Sequence, residues 1–187
     1  SNYRNIFNLE GKKAIVTGGS RGIGKALAEG LAAHGADVAI AVRSTVERAE
    51  AVARDIRAAG RDAMVIKADV SSEADVARLA DEVVERWGRI DILINNAGVI
   101  YPGSAEDYGL EDWRRTMAVN LDGVFLMSRA AGRHMIKQKS GSIITIGSMS
   151  GLIVNWPFRH TAYNVSKAGV HMLTKGLATE WAEHNIR

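Results

Sequence analysis

The fold is decided by the stretch Thr17-Gly18-Gly19-Ser20-Arg21-Gly22-Ile23-Gly24, which follows a short apolar run and precedes a helical pattern. Its glycines at 18, 22 and 24 let the backbone turn tightly between a strand and a helix. They also let a phosphate group approach the N–H groups at the start of that helix, where the helix dipole favours negative charge. A strand, a glycine-rich turn and a helix in this order predict a dinucleotide-binding unit.

The same glycines allow a second interpretation, the phosphate loop of nucleotide triphosphatases. Four residues separate Gly19 from Gly24-Lys25, which nearly matches that loop. The loop also needs a Ser or Thr hydroxyl after the lysine to bind magnesium, and this chain has Ala26 there. A turn with a purely structural role is the other alternative. The position of the turn between strand and helix favours the dinucleotide site.

Outward from this turn, short apolar runs alternate with longer helical patterns. The predicted strands are residues 12–17, 37–42, 63–67, 90–95 and 142–146, and the predicted helices are 23–34, 46–59, 73–87, 110–138 (broken near Val119) and 162–184. Such alternation predicts parallel pairing through right-handed crossovers, and strands that are apolar throughout predict helices on both faces. We therefore predict an α/β fold with a doubly wound Rossmann-type parallel sheet, as a single domain over residues 1–187.

Composition restricts the function classes. The chain has 187 residues, 47% of them hydrophobic, and a net charge of +3 without a Lys/Arg run, so no nucleic-acid partner is predicted. It contains no cysteine, which excludes disulfides and thiolate metal sites and fits a reducing compartment. No metal site is predicted. No apolar stretch approaches the ~18 residues of a membrane span, so we expect a cytoplasmic protein without a membrane partner.

Tyr163 and Lys167 form a candidate acid–base pair. They are four residues apart in a predicted helix, so both side chains lie on one face. A neighbouring ammonium favours the phenolate form of a tyrosine, which makes proton transfer to or from a substrate oxygen feasible. On its own, however, this spacing is common in helices and favours a partly buried Tyr beside a solvated Lys, so the catalytic interpretation needs support from elsewhere in the chain.

Three further features fall at the predicted upper edge of the sheet. They are Asn95-Asn96-Ala97-Gly98 after the fourth strand, Asn120 at the helix break and Ser148 after the fifth strand. Together with the glycine turn and the Tyr163/Lys167 pair, they resemble the short-chain dehydrogenase/reductase family over nearly the whole chain. Family members are usually longer, so we expect this chain to lack the C-terminal strands and the substrate lid. The resemblance also implies a homotetramer or homodimer.

The resemblance implies catalytic roles for Asn120, Ser148, Tyr163 and Lys167. Tyr163 would be the general acid in carbonyl reduction and the base in alcohol oxidation. Lys167 would favour the phenolate and hold the nicotinamide ribose, Ser148 would donate to the substrate oxygen, and Asn120 would hold a water linking Lys167 to solvent. Two alternatives stay open: Asn120 could instead satisfy the helix kink, and Ser150, thirteen residues before the tyrosine, could be the serine.

The end of the second strand predicts NADP(H) over NAD(H). NAD-binding sites of this fold place an acidic residue there, whereas this strand ends in Val42-Arg43-Ser44 and Asp37 lies at its start. Arg43, with Arg21, suits the 2′-phosphate of NADP. Alternatively, Arg43 is a solvated charge and Ser44 a helix cap. The predicted cofactor contacts are Gly18, Ser20, Arg21, Gly22, Ile23, Gly24, Arg43, Ser44, Asp69, Val70, Asn96, Ala97, Gly98, Tyr163 and Lys167.

The segment after Ser148 indicates the substrate. Met149-Ser150-Gly151-Leu152-Ile153-Val154-Asn155-Trp156-Pro157 resembles the mannitol, sorbose and galactitol dehydrogenases, although Phe158-Arg159-His160 departs from that subgroup. Ser148, Asn155 and Tyr163 are the predicted substrate contacts, and Asn155 could instead shape the turn before Pro157. We predict hydride transfer between NADP(H) and a small-molecule ketose or polyol. The alternatives are a 3-oxoacyl-carrier-protein reductase and a non-catalytic nucleotide-binding protein of the same fold.

Overall fold

The computed structural model describes residues 6–187. The strands of these residues form one parallel sheet. Its strands are β1 (Lys13–Thr17), β2 (Asp37–Val42), β3 (Ala63–Lys67), β4 (Ile92–Asn95) and β5 (Ser142–Thr145). They lie in the order β3-β2-β1-β4-β5, and each neighbouring pair is parallel. The chain winds outward from β1 in one direction and from β4 in the other. The carboxyl ends of β1 and β4 therefore border the crevice at which such sheets bind ligands.

Helices cover both faces of this sheet. They are α1 (Gly22–Ala33), α2 (Val46–Ala58), α3 (Glu73–Trp87), α4 (Leu110–Met117), α5 (Gly123–Gln138) and α6 (Thr161–Trp181). On one face α1 and α2 pack against side chains such as Val16 and Ile40. On the other, α3 and α5 pack against Ile15 and Leu93. Because successive strand residues point to opposite faces, two apolar layers require strands that are apolar throughout. The predicted doubly wound fold is confirmed.

The predicted break in the long helix is a turn of π-helix, Ala118–Asp122, between α4 and α5. Its backbone widens so that the Gly123 N–H bonds to the Ala118 carbonyl, five residues back. Such turns are often found at functional sites. This one carries Asn120 into the interior with no exposed surface.

Other predicted boundaries differ from the structure by a few residues. The fourth strand begins at Ile92 rather than residue 90, and the last helix ends at Trp181, where the short 3₁₀ turn Ala182–His184 follows. Such ends depend on single hydrogen bonds, which sequence patterns do not resolve. No helix within residues 6–187 is long and apolar enough to cross a membrane.

Ion pairs secure the amino ends of the strands, at the opposite edge from the crevice. The Asp37 carboxylate accepts hydrogen bonds from Lys13 Nζ (2.5 Å), Arg61 Nη2 (3.1 Å) and the Asp62 N–H (2.9 Å). Burial alone would raise the pKa of Asp37, but these donors and the two positive charges lower it overall. The charged form of Asp37 is therefore the one that the fold stabilises.

Candidate active site

Two adjoining cavities lie along the carboxyl ends of the strands. The first, about 450 Å³, extends from the glycine turn past the end of β2 to Asp69 and Val70. The second, about 560 Å³, is bordered by Ser148, Asn155, Tyr163 and Lys167. Both are lined by Ile23, Asn96, Gly98 and Val99, so they adjoin as two halves of one elongated site. Every site residue predicted from the sequence lines one of the two cavities except Asn120.

The glycine turn is tied to the end of β4. Gly18 and Gly22 have φ angles of +69° and +53°, which side chains other than hydrogen rarely allow. Asn96 Nδ2 donates to the carbonyls of Thr17 (2.9 Å) and Gly18 (3.2 Å). A Cβ atom on Gly24 would lie only 2.5 Å from the same Nδ2. The turn therefore needs glycine at 24 so that it can close against Asn96.

Thr17 completes this connection, and sequence reasoning missed it as a site residue. Its hydroxyl oxygen accepts the N–H groups of Asn96 and Ala97, both at 3.0 Å, and its hydroxyl donates to the Ile94 carbonyl at 3.3 Å. The available signal was a hydroxyl residue at the end of β1, directly before the glycines. Thr17 thus fixes the two strand ends that border the crevice.

The end of β2 presents a cation to the first cavity. Arg43 is half exposed, and its Nη1 lies 3.9 Å from Asp69 Oδ2. Asp69 is the one acidic side chain among the described residues that line this cavity, and its Oδ1 accepts from Ser71 N (3.0 Å) and Ser71 Oγ (2.6 Å). Burial would raise the pKa of Asp69, but the bonds from Ser71 and the charges of Arg43 and Arg115 lower it overall. Asp69 is therefore a stable carboxylate that already has partners.

The helix-cap interpretation of Ser44 is wrong. Helix α2 begins at Val46 with Thr45 as its N-cap residue, and Thr45 makes no side-chain capping bond. The Thr45 hydroxyl lies 2.7 Å from Ser20 Oγ instead, which joins the glycine turn to the end of β2. The helix begins at residue 46 as predicted, but its N-cap position falls on Thr45, so Ser44 is left lining the cavity.

Tyr163 and Lys167 share one face of α6, as predicted. Lys167 is 5% exposed, its Nζ donates to the Ile146 carbonyl at 2.6 Å, and Nζ lies 5.7 Å from the centre of the Tyr163 ring. Burial lowers the pKa of Lys167. An ammonium has three donors, and only one has a partner among residues 6–187. The others can reach a ligand in the cavity that Lys167 lines.

The side chain of Asn120 is used entirely within the protein. Its Oδ1 accepts the Val99 N–H at 2.8 Å, and its Nδ2 donates to the Val99 carbonyl (2.9 Å) and Ser166 Oγ (3.1 Å). Ser166 Oγ in turn donates to the Tyr163 carbonyl at 2.7 Å. Asn120 therefore connects the segment after β4 to the helix that carries the tyrosine. Both polar atoms of the Asn120 side chain therefore have partners within the protein.

Ser148 and Ser150 both line the second cavity, but their hydroxyls have different partners. Ser148 Oγ accepts the Ser150 N–H at 3.1 Å, which leaves the Ser148 hydroxyl hydrogen able to donate to a ligand. Ser150 is 6% exposed, and its Oγ accepts from Asn155 Nδ2 at 2.9 Å. Asn155 thus braces this loop, while its Oδ1 is buried without a partner among the described residues.

Comparisons with known proteins identify the family to which this chain is similar. The family model described as short chain dehydrogenase matches residues 12–187. Galactitol 2-dehydrogenase of Rhizobium johnstonii is 47% identical over 99% of this chain and 72% of its own length. D-threitol dehydrogenase of Mycolicibacterium smegmatis is 41% identical over 97% and 68%.

A solved structure gives the same result. The short chain dehydrogenase from Burkholderia cenocepacia in complex with NADP superposes with a TM-score of 0.90 at 42% identity, covering 96% of this chain and 72% of the other. The resemblance read from the motifs is thereby confirmed over both sequence and fold. The chain belongs to the short-chain dehydrogenase family.

Proposed function

We propose that the protein transfers a hydride between NADP(H) and a ketose or polyol. The observation that carries this proposal is the shared lining of one cavity by Ser148, Tyr163 and Lys167, next to a glycine-rich cavity. Around a reacting oxygen, Ser148 supplies a hydrogen-bond donor, Tyr163 an acid–base group and Lys167 a positive charge. The glycine-rich cavity supplies a place for the phosphates of a dinucleotide.

The residues of the first cavity fit a dinucleotide. The turn at Gly18 and Gly22 lacks side chains where a pyrophosphate would approach α1, and the absence of a Cβ at Gly24 lets this turn close against Asn96. Asp69 and Val70 would border the adenine, and Lys167, through its remaining donors, would hold the nicotinamide ribose. A bound nicotinamide dinucleotide would supply or take up the hydride.

Arg43 supports NADP over NAD. Its guanidinium is half exposed at the cavity, and its one acidic neighbour is 3.9 Å away, so it can form charge-assisted hydrogen bonds with a 2′-phosphate. Arg21, in the glycine turn, lines the same cavity and adds a second positive charge. The acidic residue that would favour NAD at the end of β2 is absent among the lining residues there.

The protein side of the reaction is proton transfer. In reduction, Tyr163 would give a proton to the substrate oxygen, while the Ser148 hydroxyl donates a hydrogen bond to the same oxygen. In oxidation Tyr163 would accept that proton. The positive charge of Lys167, 5.7 Å from the centre of the tyrosine ring, favours the phenolate that remains after reduction. Asn120 would hold the water that returns the proton from solvent.

The polyol assignment is supported by the second cavity and by the relatives. Ser150 and Asn155 supply hydrogen-bonding groups beyond those that proton transfer needs, as a polyhydroxylated substrate requires. Two relatives are named for galactitol and threitol.

For assembly we propose a homotetramer or homodimer through α5 and α6, whose exposed apolar side chains include Phe125, Val165 and Met172.

The substrate proposal is tested by a panel of reactions followed at the absorbance of the reduced cofactor. Polyols and ketoses are compared with a 3-oxoacyl thioester, each with NADP(H) and NAD(H). We expect turnover of at least one polyol/ketose pair. Turnover of the thioester alone would replace this function by acyl reduction, and no turnover with any pair would favour a non-catalytic nucleotide-binding protein.

A variant of Arg43 tests the proposed preference for NADP(H) over NAD(H). Arg43→Ala is expected to raise the Kd of NADPH by roughly 10- to 100-fold, the value of one charge-assisted hydrogen bond, and to leave that of NADH nearly unchanged. Arg54→Ala is the matched control, because Arg54 is an exposed arginine of α2 that lines neither cavity. Equal weakening of NADPH and NADH by Arg43→Ala would contradict the role given to this arginine.

A further inference from the structure

His160 is a buried imidazole in the second cavity to which the catalytic roles above give no task. It lies directly before α6, three residues ahead of Tyr163, and is only 7% exposed. Its ring stacks on Phe158, with centres 5.8 Å apart and planes at 27°. It meets the Tyr163 ring edge-to-face at 5.8 Å and 89°. The imidazole is therefore held in place beside the proposed acid–base group.

The position of this ring does not come from hydrogen bonds of its own. His160 Nε2 is buried and has no partner among the described residues. The residue is the N-cap of α6, yet its side chain makes no capping bond, and its main-chain carbonyl accepts the Asn164 N–H at 3.1 Å. Buried polar atoms are nearly always paired in folded proteins, so an unpaired one in a ligand cavity needs an explanation.

A second unpaired atom lies on the same wall of the cavity. Asn155 also lines it, and Asn155 Oδ1 is buried without a partner while its Nδ2 donates to Ser150 Oγ. The segment after Ser148 therefore places two unpaired polar groups at this cavity, the acceptor oxygen of Asn155 and the imidazole of His160. A half-turn of the imidazole exchanges its nitrogen and carbon positions, so either nitrogen can face the cavity.

We propose that His160 hydrogen-bonds a substrate hydroxyl on the carbon next to the reacting carbon. The His160 ring packs edge-to-face against the Tyr163 ring and lines the same cavity, so a group that it binds there would lie near the oxygen that Tyr163 protonates. A vicinal hydroxyl is such a group, and a remote end of the substrate is not. His160 thereby selects α-hydroxy ketones and vicinal diols over ketones and alcohols with a single oxygen. This inference rests on the proposed function and names a specificity-determining residue within it.

The test compares two ketones of similar size, hydroxyacetone and butan-2-one. Hydroxyacetone has a hydroxyl on the carbon next to the carbonyl, where butan-2-one has a methyl group. His160→Phe keeps an aromatic ring between Phe158 and Tyr163 but removes both nitrogens. It is expected to lower kcat/KM for hydroxyacetone by roughly 10- to 100-fold and to leave butan-2-one within about threefold, since a buried partner of the hydroxyl is lost. His160→Gln, which keeps a donor and an acceptor, should restore most of the loss.

A binding measurement accompanies the kinetics. The Kd of threitol is measured by calorimetry on the complex with NADPH, in which oxidation of the diol cannot proceed. His160→Phe should weaken threitol binding by the same factor as kcat/KM for hydroxyacetone. The Kd of NADPH itself should not change, which shows that the variant is folded.

The outcomes separate this inference from the function on which it rests. A wild-type protein that reduces no carbonyl compound with either cofactor overturns the proposed function and the role of His160 with it. Wild-type turnover, with hydroxyacetone and butan-2-one affected equally by His160→Phe, overturns the role of His160 alone.

Discussion

Replacing Asn120 by alanine tests whether this residue holds the site together. The variant removes three hydrogen bonds of 2.8, 2.9 and 3.1 Å from a side chain with no exposed surface. Each such bond contributes about 1 kcal/mol, so the free energy of unfolding should fall by about 3 kcal/mol. In a domain of this size that corresponds to a decrease in Tm of roughly 6 to 12 °C.

The assay is denaturant unfolding of Asn120→Ala beside a matched control. Asn164→Ala removes the same side chain from α6, but Asn164 Oδ1 is buried without a partner among the described residues. Its removal should change the free energy of unfolding by less than about 1 kcal/mol, since no partner is left unpaired. If Asn120→Ala unfolds at the same denaturant concentration as the wild type while turnover falls, Asn120 acts in proton transfer and not in support.

The remaining predictions concern the glycine turn, a helix cap and acid stability. Gly24→Ala should prevent the turn from closing on Asn96 and weaken NADPH binding at least tenfold in calorimetry, whereas Gly30→Ala, with open space around it, should leave binding unchanged and slightly stabilise α1. Ser72→Ala removes a side-chain cap of α3 and should cost about 1 kcal/mol in denaturant unfolding; no change would contradict the capping role. Because the pKa of Asp37 is lowered, its stabilisation is present above about pH 4 and lost as the pH falls through the folded-state value. Asp37→Asn should therefore be less stable near neutral pH and lose less stability on acidification, and an unchanged acid dependence would count against this carboxylate.

The fold and the two halves of the site could be predicted because they depend on local patterns. Apolar strands, a glycine turn and a helical Tyr163/Lys167 spacing are each visible within a few residues. The parallel sheet then brings the strand ends to one edge whatever the details of packing. This is why the predicted site residues other than Asn120 line two adjoining cavities.

What the sequence could not show depends on contacts between distant segments. Thr17 bonds residues 79 and 80 positions away, and Asn120 bonds Val99 and Ser166. No pattern in one segment specifies which of its polar atoms will be used by another. The unpaired nitrogen of His160 is visible only once the packing of its neighbours is known.

The central claim, that Tyr163 exchanges a proton with the substrate beside a bound dinucleotide, is tested most directly by comparing turnover and NADPH binding in Tyr163→Phe. General acid–base catalysis contributes roughly 10²- to 10⁴-fold, so kcat should fall by that factor while the Kd of NADPH stays within about threefold. Tyr108→Phe is the matched control, because its hydroxyl donates to the Tyr101 carbonyl and lines neither of the two cavities. A Tyr163→Phe protein that turns over within about tenfold of the wild type would contradict the mechanism.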